Sequence, residues 1–170
     1  MRKICSSCLM LVTMALLLSC HSHDVQNLPK YDRQQVAEII SNHDTTILYF
    51  MTSWCHASQN NFENNLKPYL GKASDTKAIA VICVGEVEQV SNLENDNKNV
   101  FLFGRPSRQS LADKMFINKE CKNLLSHYKR VNYVPVDIVC DRKGEILNWN
   151  TDEELDRTYE FFLPYLMGWK

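Results

Sequence analysis

The sequence is poor in glycine and proline, has no excess of positive charge and contains no paired C-x-x-C or H-x-x-x-H set of metal ligands. Five glycines and five prolines among 170 residues are too few for a collagen-like or low-complexity chain. Nineteen basic against 20 acidic residues give a formal net charge of −1, without the basic excess typical of nucleic-acid binding. The five histidines do not combine with the cysteines into paired ligand motifs. We therefore expect no nucleic-acid partner, no metal and no cofactor.

The sequence also lacks an apolar run long enough to cross a membrane. Arg2 and Lys3 precede a short apolar stretch over 9–18, which Ser19 and Cys20 follow, and this order is typical of a secretory signal. A helix over 9–18 would reach about 15 Å, half of a bilayer core of about 30 Å. A lasting transmembrane helix is therefore the weaker interpretation.

The end of this stretch, Leu17-Leu18-Ser19-Cys20, resembles the lipobox of bacterial lipoproteins. The resemblance implies that Cys20 is lipidated and becomes the first residue of the mature chain, where acyl chains anchor the protein. The alternative is an ordinary signal peptide cut nearby, with Cys20 as a free thiol. We expect a signal peptide over 1–19, a polar tether over 20–30 and one domain over 31–170. The domain would then be held at a membrane of the bacterial envelope, facing the periplasm or the exterior.

Beyond the tether, short apolar runs alternate with segments of helical periodicity. The first two runs are nearly all apolar, as expected for strands buried on both faces of a sheet. A turn with Gly144 at a position that favours positive φ joins the last two runs into a hairpin. This order predicts an α/β sandwich with a mixed sheet of four or five strands. The predicted strands are 46–51, 78–84, 100–103, 136–140 and 145–149.

The segments between these strands carry apolar residues at the spacing of helices. Asp32 can cap a first helix, and a second helix kinks or ends at Pro68. Apolar stripes over 111–116 and 121–128 predict one long helix, or two helices that break between the stripes. A last helix opens at a capping box over 151–154.

The segment Ser53-Trp54-Cys55-His56-Ala57-Ser58 lies directly after the first strand and before the second helix. The amino terminus of a helix presents unpaired N–H groups and the positive end of the helix dipole, and both favour the thiolate, the nucleophilic form of cysteine. A protonated His56 nearby would favour the thiolate further. The sequence therefore places Cys55 where a reactive thiol is expected.

Two segments resemble the thioredoxin superfamily, in particular its exported, membrane-associated thiol-disulfide oxidoreductases of the TlpA-like kind. Trp54-Cys55-His56-Ala57-Ser58 is similar to the family's Trp-Cys-x-x-Cys motif, and Tyr133-Val134-Pro135-Val136 is similar to its cis-proline segment. The resemblance spans about residues 32–165 and implies a thioredoxin-like three-layer α/β/α sandwich with a mixed sheet. It also implies that Cys55 attacks substrate disulfides.

The same resemblance implies roles for the residues around the thiol. Val134 and Pro135 would present their backbone to a bound peptide, and Trp54 would form a lid beside Cys55. A core aromatic is the alternative for Trp54. The partners implied are protein thiols or disulfides in the envelope.

Ser58 departs from the family pattern, because a dithiol enzyme has a second cysteine there that attacks the mixed disulfide and releases the substrate. A hydroxyl cannot take that role. Chemistry with one thiol remains: exchange or isomerisation resolved by a substrate thiol, reduction that relies on an outside thiol, or long-lived capture of a partner. Ser58 can still donate a hydrogen bond to the thiolate of Cys55.

Three further cysteines of the predicted domain are candidates for a resolving thiol. Cys83 and Cys140 lie inside apolar strands, where a small buried hydrophobe is the better interpretation. Cys121 lies on an apolar helical stripe, which favours a core residue over a mobile thiol. The prediction is monothiol disulfide exchange through Cys55. The alternative is a redox-inactive binding module on the same fold, in which Cys55 is incidental.

The lipoprotein hypothesis predicts the behaviour of a Cys20→Ala variant. Without the thiol that carries the acyl chains, the precursor should stay unprocessed or the domain should be released from membranes. Metabolic labelling with a fatty acid, followed by membrane fractionation, measures both effects. Cys121→Ala is the matched control and should keep its label, whereas equal labelling of Cys20→Ala and wild type would contradict lipidation.

Overall fold

Five strands form one mixed sheet in the computed structural model, which describes residues 28–108, 110–130 and 132–149. The order across the sheet is β3-β2-β1-β4-β5. The first three strands run parallel, β4 is antiparallel to β1, and β5 is antiparallel to β4. All five predicted strands are confirmed, each within two residues of its predicted bounds. They are β1 (Thr45–Thr52), β2 (Lys77–Val84), β3 (Val100–Arg105), β4 (Val136–Asp141) and β5 (Ile146–Trp149).

The helices of the described residues are α1 (Arg33–Asn42), α2 (His56–Asn61), α3 (Glu88–Ser91) and α4 (Ser110–Leu124). Asp32 caps α1 as predicted, since its Oδ1 accepts a hydrogen bond from the N–H of Gln34 at 2.8 Å. After α2 the chain continues as a π-helical turn over Phe62–Leu66 and a 3₁₀ segment over Lys67–Lys72. The change from the π-helical turn to the 3₁₀ segment occurs next to Pro68, which lacks a backbone N–H donor. The predicted kink or end of the helix at this proline is therefore confirmed.

The two predicted apolar stripes lie on and just after a single helix, α4, which confirms the first of the two predicted alternatives. It ends at Leu124, so Tyr128 lies beyond it. Within the first stripe, Leu111 and Met115 do not face the core, because they are 66% and 60% exposed, whereas Phe116 is partly buried against it. α4 instead buries the opposite side, including two acids that an apolar pattern assigns to solvent. The buried residues of α4 are Asp113, Ile117, Glu120 and Cys121.

The predicted signal peptide, the lipidation site Cys20, the tether as far as residue 27 and the predicted last helix lie outside the described residues. Their predictions therefore stay predictions. Within the described ranges, no helix is long and apolar enough to cross a membrane.

Two apolar clusters pack on opposite faces of the sheet, because successive strand residues point to opposite sides. On one face, Leu48 and Phe50 of β1 pack with the apolar residues of α1 and α4. On the other face, Ile47 and Met51 pack with residues from α2's continuation, among them Phe62. Helices therefore cover both faces of a mixed sheet, which is the predicted thioredoxin-like three-layer α/β/α sandwich.

The predicted turn between β4 and β5 has its glycine in the left-handed region. Gly144 has a φ of 76°. A Cβ atom there would lie 2.6 Å from the carbonyl oxygen of Leu124, so both the backbone conformation and the close approach of α4 require glycine.

A buried carboxylate joins α4 to the start of α1. Arg33 donates two hydrogen bonds to Glu120, from Nε at 2.6 Å and from Nη2 at 2.7 Å, and Tyr31 Oη donates a third at 2.7 Å. Burial by itself would raise the pKa of Glu120, but the bonds from Arg33 and Tyr31 outweigh it and the pKa lies below its ordinary value. Glu120 is therefore held ionised inside the fold.

Because the pKa of Glu120 is lowered on folding, its stabilising effect is present above the unfolded-state pKa and is lost as pH falls through the folded-state value. Glu120→Gln should lower the free energy of unfolding by about 1–3 kcal/mol at neutral pH. The difference from wild type should shrink toward zero as pH falls through the folded-state pKa of Glu120. Urea denaturation at neutral pH and in acid measures it.

Glu63→Gln is the matched control, because Glu63 pairs with Lys67 at 2.8 Å on the half-exposed surface. That change should cost about 0.5 kcal/mol or less. A Glu120→Gln cost that stays the same in acid would contradict the argument.

Candidate functional site

The loop after β1 carries Cys55 to the start of the helical segment that continues through Lys72. β1 ends at Thr52, and the N–H of Ser53 still donates to Val84 on β2 at 2.9 Å. Cys55 then takes the N-cap position of α2 with extended backbone angles, and its side chain makes no cap hydrogen bond. The thiol is half-exposed. The strand, loop and helix junction predicted for Cys55 is therefore confirmed.

The thiol lies against the chain that enters β4. Cys55 Sγ donates to the carbonyl oxygen of Val134 at 3.3 Å, and the Val134–Pro135 peptide bond is cis. The register of β1 with β4 places Phe50 opposite Val136, so the residue before β4 meets the loop after β1. The structure thus brings Cys55 next to Val134 and Pro135. Cys55 and Val134, which share the hydrogen bond, are 79 residues apart in the sequence.

Ser58 is fully buried and its hydroxyl is bonded to the backbone of the same loop. Its Oγ lies 2.9 Å from the carbonyl oxygen of Cys55 and 3.3 Å from that of Thr52, and it is 3.4 Å from the N–H of Thr52. Within the described residues, no hydrogen bond joins the Ser58 hydroxyl to the Cys55 thiol. Ser58 therefore links the two ends of the loop through its hydroxyl, and the Cys55 thiol is hydrogen-bonded to Val134 instead.

A second layer of polar groups lies beneath this loop. The buried hydroxyl of Tyr49 donates to the carbonyl oxygen of Ser58 at 2.8 Å. Burial, together with the charge of Asp137, raises the pKa of Tyr49 well above its ordinary value, so the phenol stays protonated and donates. Asp137 is itself buried and accepts from Nδ2 of Asn61 at 3.4 Å.

This second layer of polar groups was not predicted from the sequence. Tyr49 lies in a nearly all-apolar run, where its hydroxyl gives no periodic signal. An aspartate inside the apolar strand over 136–140 was the available clue, because a charged residue is buried only with partners.

The ring of Trp54 lies at the surface and is clamped to α4. Its indole N–H donates to Oδ2 of Asp113 at 3.1 Å, and the ring is 37% exposed. The fully buried Asp113 also accepts from the hydroxyl of Ser107 at 2.5 Å and from the N–H of Arg108 at 3.1 Å. The nitrogen of Lys114 lies 5.8 Å from the centre of the Trp54 ring. Trp54, the neighbour of Cys55 in the loop, is therefore held to α4 by an aspartate that was not predicted from the sequence.

His56 is exposed at the first position of α2, and its side chain makes no hydrogen bond to another described residue. The structure does not join His56 to the contacts around the thiol. Across residues 28–108, 110–130 and 132–149, no group of three or more His, Cys, Asp or Glu side chains could hold a metal ion.

The other three described cysteines are free thiols buried in the core. Burial raises the pKa of Cys83 and of Cys140 to about 12, and raises that of Cys121 still further. The prediction that these cysteines are core residues is confirmed. None of them presents a thiolate to solvent near neutral pH, so Cys55 is the accessible thiol of the described chain.

No model of a known protein family and no curated protein matches the sequence. Similar solved structures include the thioredoxin domain of a thiol-disulfide oxidoreductase from Bacteroides vulgatus, with 13% identity, 76% of this chain and 82% of that chain covered, and a TM-score of 0.45. A thioredoxin from Wuchereria bancrofti has 15% identity over 86% of this chain and 99% of its own, with a TM-score of 0.45. StoA from Bacillus subtilis has 21% identity over 65% of this chain and 76% of its own, with a TM-score of 0.39.

The contrast among the four described cysteines predicts their order of reaction with iodoacetamide. Cys55 should be alkylated at least about tenfold faster than Cys83, Cys121 or Cys140 in the folded protein, because the other thiols are buried and protonated. Mass spectrometry of digests taken during the reaction measures each site.

A denatured sample is the control, since all four thiols should then react at similar rates. Faster labelling of Cys83 or Cys140 than of Cys55 in the folded protein would contradict the burial of these strands.

Proposed function

We propose that the chain is an exported, lipid-anchored protein of the bacterial envelope that performs thiol-disulfide exchange through Cys55 as its single nucleophile. The observation that carries this proposal is the position of that thiol. It is half-exposed, at the start of a helical segment, and 3.3 Å from the carbonyl oxygen of Val134 beside a cis proline. The proposed organisation is a signal peptide over 1–19, a tether from Cys20 to residue 30 and one domain over 31–170.

The first step is attack by the Cys55 thiolate on one sulfur of a substrate disulfide. A new S–S bond joins Cys55 to that sulfur, and the electron pair of the broken bond leaves with the other sulfur as a thiolate. Unpaired N–H groups at the start of α2 stabilise the attacking thiolate. Val134 and Pro135 offer backbone to the substrate chain next to the reacting sulfur, and Trp54 borders the same place.

The second step needs a thiol that the loop does not supply. Ser58 has no sulfur, and its buried hydroxyl is bonded to the carbonyl oxygens of Cys55 and Thr52. Another thiolate of the substrate can attack the substrate sulfur of the mixed disulfide, forming a rearranged disulfide and returning Cys55 as thiolate with no net oxidation. An external thiol can attack instead, and the substrate is then reduced while two external thiols become a disulfide.

A redox-inactive binding module in the envelope is the second candidate function. The contacts of Ser58 favour it, because this residue closes the loop as a fixed element and no second thiol lies in the motif. In that case the surface around Cys55 holds a partner without exchanging bonds. The two candidates differ in whether covalent adducts form at Cys55.

Monothiol exchange predicts that captured partners accumulate. In cells of the native host, non-reducing gels should show adducts that disappear with reductant and with Cys55→Ala, and that persist with Cys121→Ala because Cys121 is core. Ser58→Cys should supply a resolving thiol one turn from the nucleophile. That variant should shorten the lifetime of the adducts and gain dithiol reductase activity when an electron donor is present.

Ser58→Ala is the matched control, because it loses the same hydroxyl contacts without gaining a thiol. Its adducts should last as long as those of wild type. If wild type forms no adducts and Ser58→Cys gains no turnover, the binding module replaces the exchange function.

A further inference from the structure

The exposed side of α4 is positively charged. Residues 106–133 hold six Lys or Arg and two acids, whereas the remaining chain holds 13 basic and 18 acidic residues. Both acids, Asp113 and Glu120, are buried and bonded to donors. Among the described residues, none of the six cations forms an ion pair. These cations are Arg108, Lys114, Lys119, Lys122, Lys129 and Arg130.

Two exposed apolar side chains lie on the same side of this helix. Leu111 and Met115 are one turn apart and are two of the four large hydrophobic residues exposed in the described chain. Positions 118, 119 and 122 continue the same face at helical spacing. With the segment that follows α4, this face forms a groove of about 510 Å³. Its lining residues are Met115, Asn118, Lys119, Lys122, Tyr128 and Arg130.

This face begins beside the thiol loop. Asp113 holds the indole of Trp54, and Lys114 lies over the same ring. Arg130 also lines the groove. It lies four residues before Val134, whose carbonyl oxygen accepts a hydrogen bond from Cys55. The distance along α4 from residue 111 to residue 122 is about 16 Å, the length of about five extended residues.

We infer that this surface, formed by Leu111, Met115, Lys119 and Lys122 of α4 and by Arg130 of the segment that follows, binds an acidic segment with apolar side chains that flanks the reacting cysteine of the substrate protein. The inference rests on the proposed exchange at Cys55 and adds the substrate class. Charge complementarity supports it, because unpaired cations attract carboxylates and raise the rate of encounter. The concave groove accepts the side chains of a polypeptide, whereas a lipid surface meets the protein on a flat or convex face.

The test uses the full chain and three peptides, each with one cysteine in a disulfide with 5-thio-2-nitrobenzoate. The three peptides have the same length and the same apolar residues. They differ only in the residues that flank the cysteine: Asp and Glu in the acidic peptide, Lys in the basic peptide, and Ser and Gln in the neutral peptide. The Cys55 thiolate attacks the peptide sulfur, forming a mixed disulfide, and the coloured nitrothiobenzoate leaves with the electron pair of the broken bond. The rate of colour release, less that of the Cys55→Ala variant, gives the second-order rate constant of Cys55 with each peptide.

At low ionic strength the acidic peptide should react about tenfold faster than the neutral one, and the basic peptide more slowly than both. Lys119→Glu/Lys122→Glu should remove this preference, and added salt should weaken it in wild type. The matched control is Lys72→Glu/Lys143→Glu, which makes the same change in net charge at exposed positions outside the groove and should keep the preference. Circular dichroism checks that both variants fold.

Equal rates for the three peptides in wild type would overturn the docking inference while leaving exchange at Cys55 intact. Absence of colour release from every peptide would instead overturn the proposed function. Vesicles of phosphatidylglycerol and phosphatidylcholine test the membrane as the occupant. If Lys119→Glu/Lys122→Glu weakens sedimentation with these vesicles but leaves the peptide preference unchanged, the face docks on anionic lipid and the inference is wrong.

Discussion

The antiparallel pairing of β1 with β4 determines where the chemistry of this fold can lie. β1 is buried on both faces and needs a hydrogen-bonded neighbour at each edge, which β2 and β4 supply. The opposite direction of β4 means that its first residue lies where β1 ends. The loop that carries Cys55 and the peptide bond before Pro135 therefore come together at one edge of the sheet. The strand directions place these two segments next to each other, and side-chain contacts then fix their exact positions.

A reactive cysteine in this place has to be held without being buried. The backbone of its loop is fixed from below by Ser58 and Tyr49, which bond to carbonyl oxygens within and just after the loop. From the side, Asp113 fixes the indole of Trp54. Cys55 is only partly buried, and its sulfur makes one hydrogen bond, to the carbonyl oxygen of Val134. Rigidity is thus provided by the backbone and by neighbouring residues, and the thiol stays accessible.

The parts of the structure that depend on local pattern could be predicted from the sequence. Continuous apolar runs identify β1 and β2, because a strand buried on both faces needs an apolar residue at every position. The position of Cys55 between a strand and a helix follows from the same patterns. The partner segment around Pro135 could be named only through the resemblance to a family, since an average X–Pro bond is trans.

The burial of acids could not be predicted in this way. Asp113 and Glu120 are buried because they accept hydrogen bonds from Trp54 and Arg33, which lie 59 and 87 residues away in the sequence. Periodicity within a helix contains no information on such partners. Leu111 and Met115 are exposed as a direct result, since the helix cannot bury both the acids and the opposite apolar side.

The chain enters the domain at the outer edge of the sheet. The N–H of Gly104 on β3 donates to the carbonyl oxygen of Pro29 at 2.8 Å, and the N–H of Tyr31 donates back to Gly104 at 2.9 Å. Lys30 and Gly104 pair in parallel, so a pull on the chain ahead of Pro29 along the strand direction loads both bonds together in shear. The thiol loop belongs to β1, two strands further into the sheet. Tension at the amino-terminal side therefore acts on the two hydrogen bonds to the edge strand β3, and not directly on the loop around Cys55.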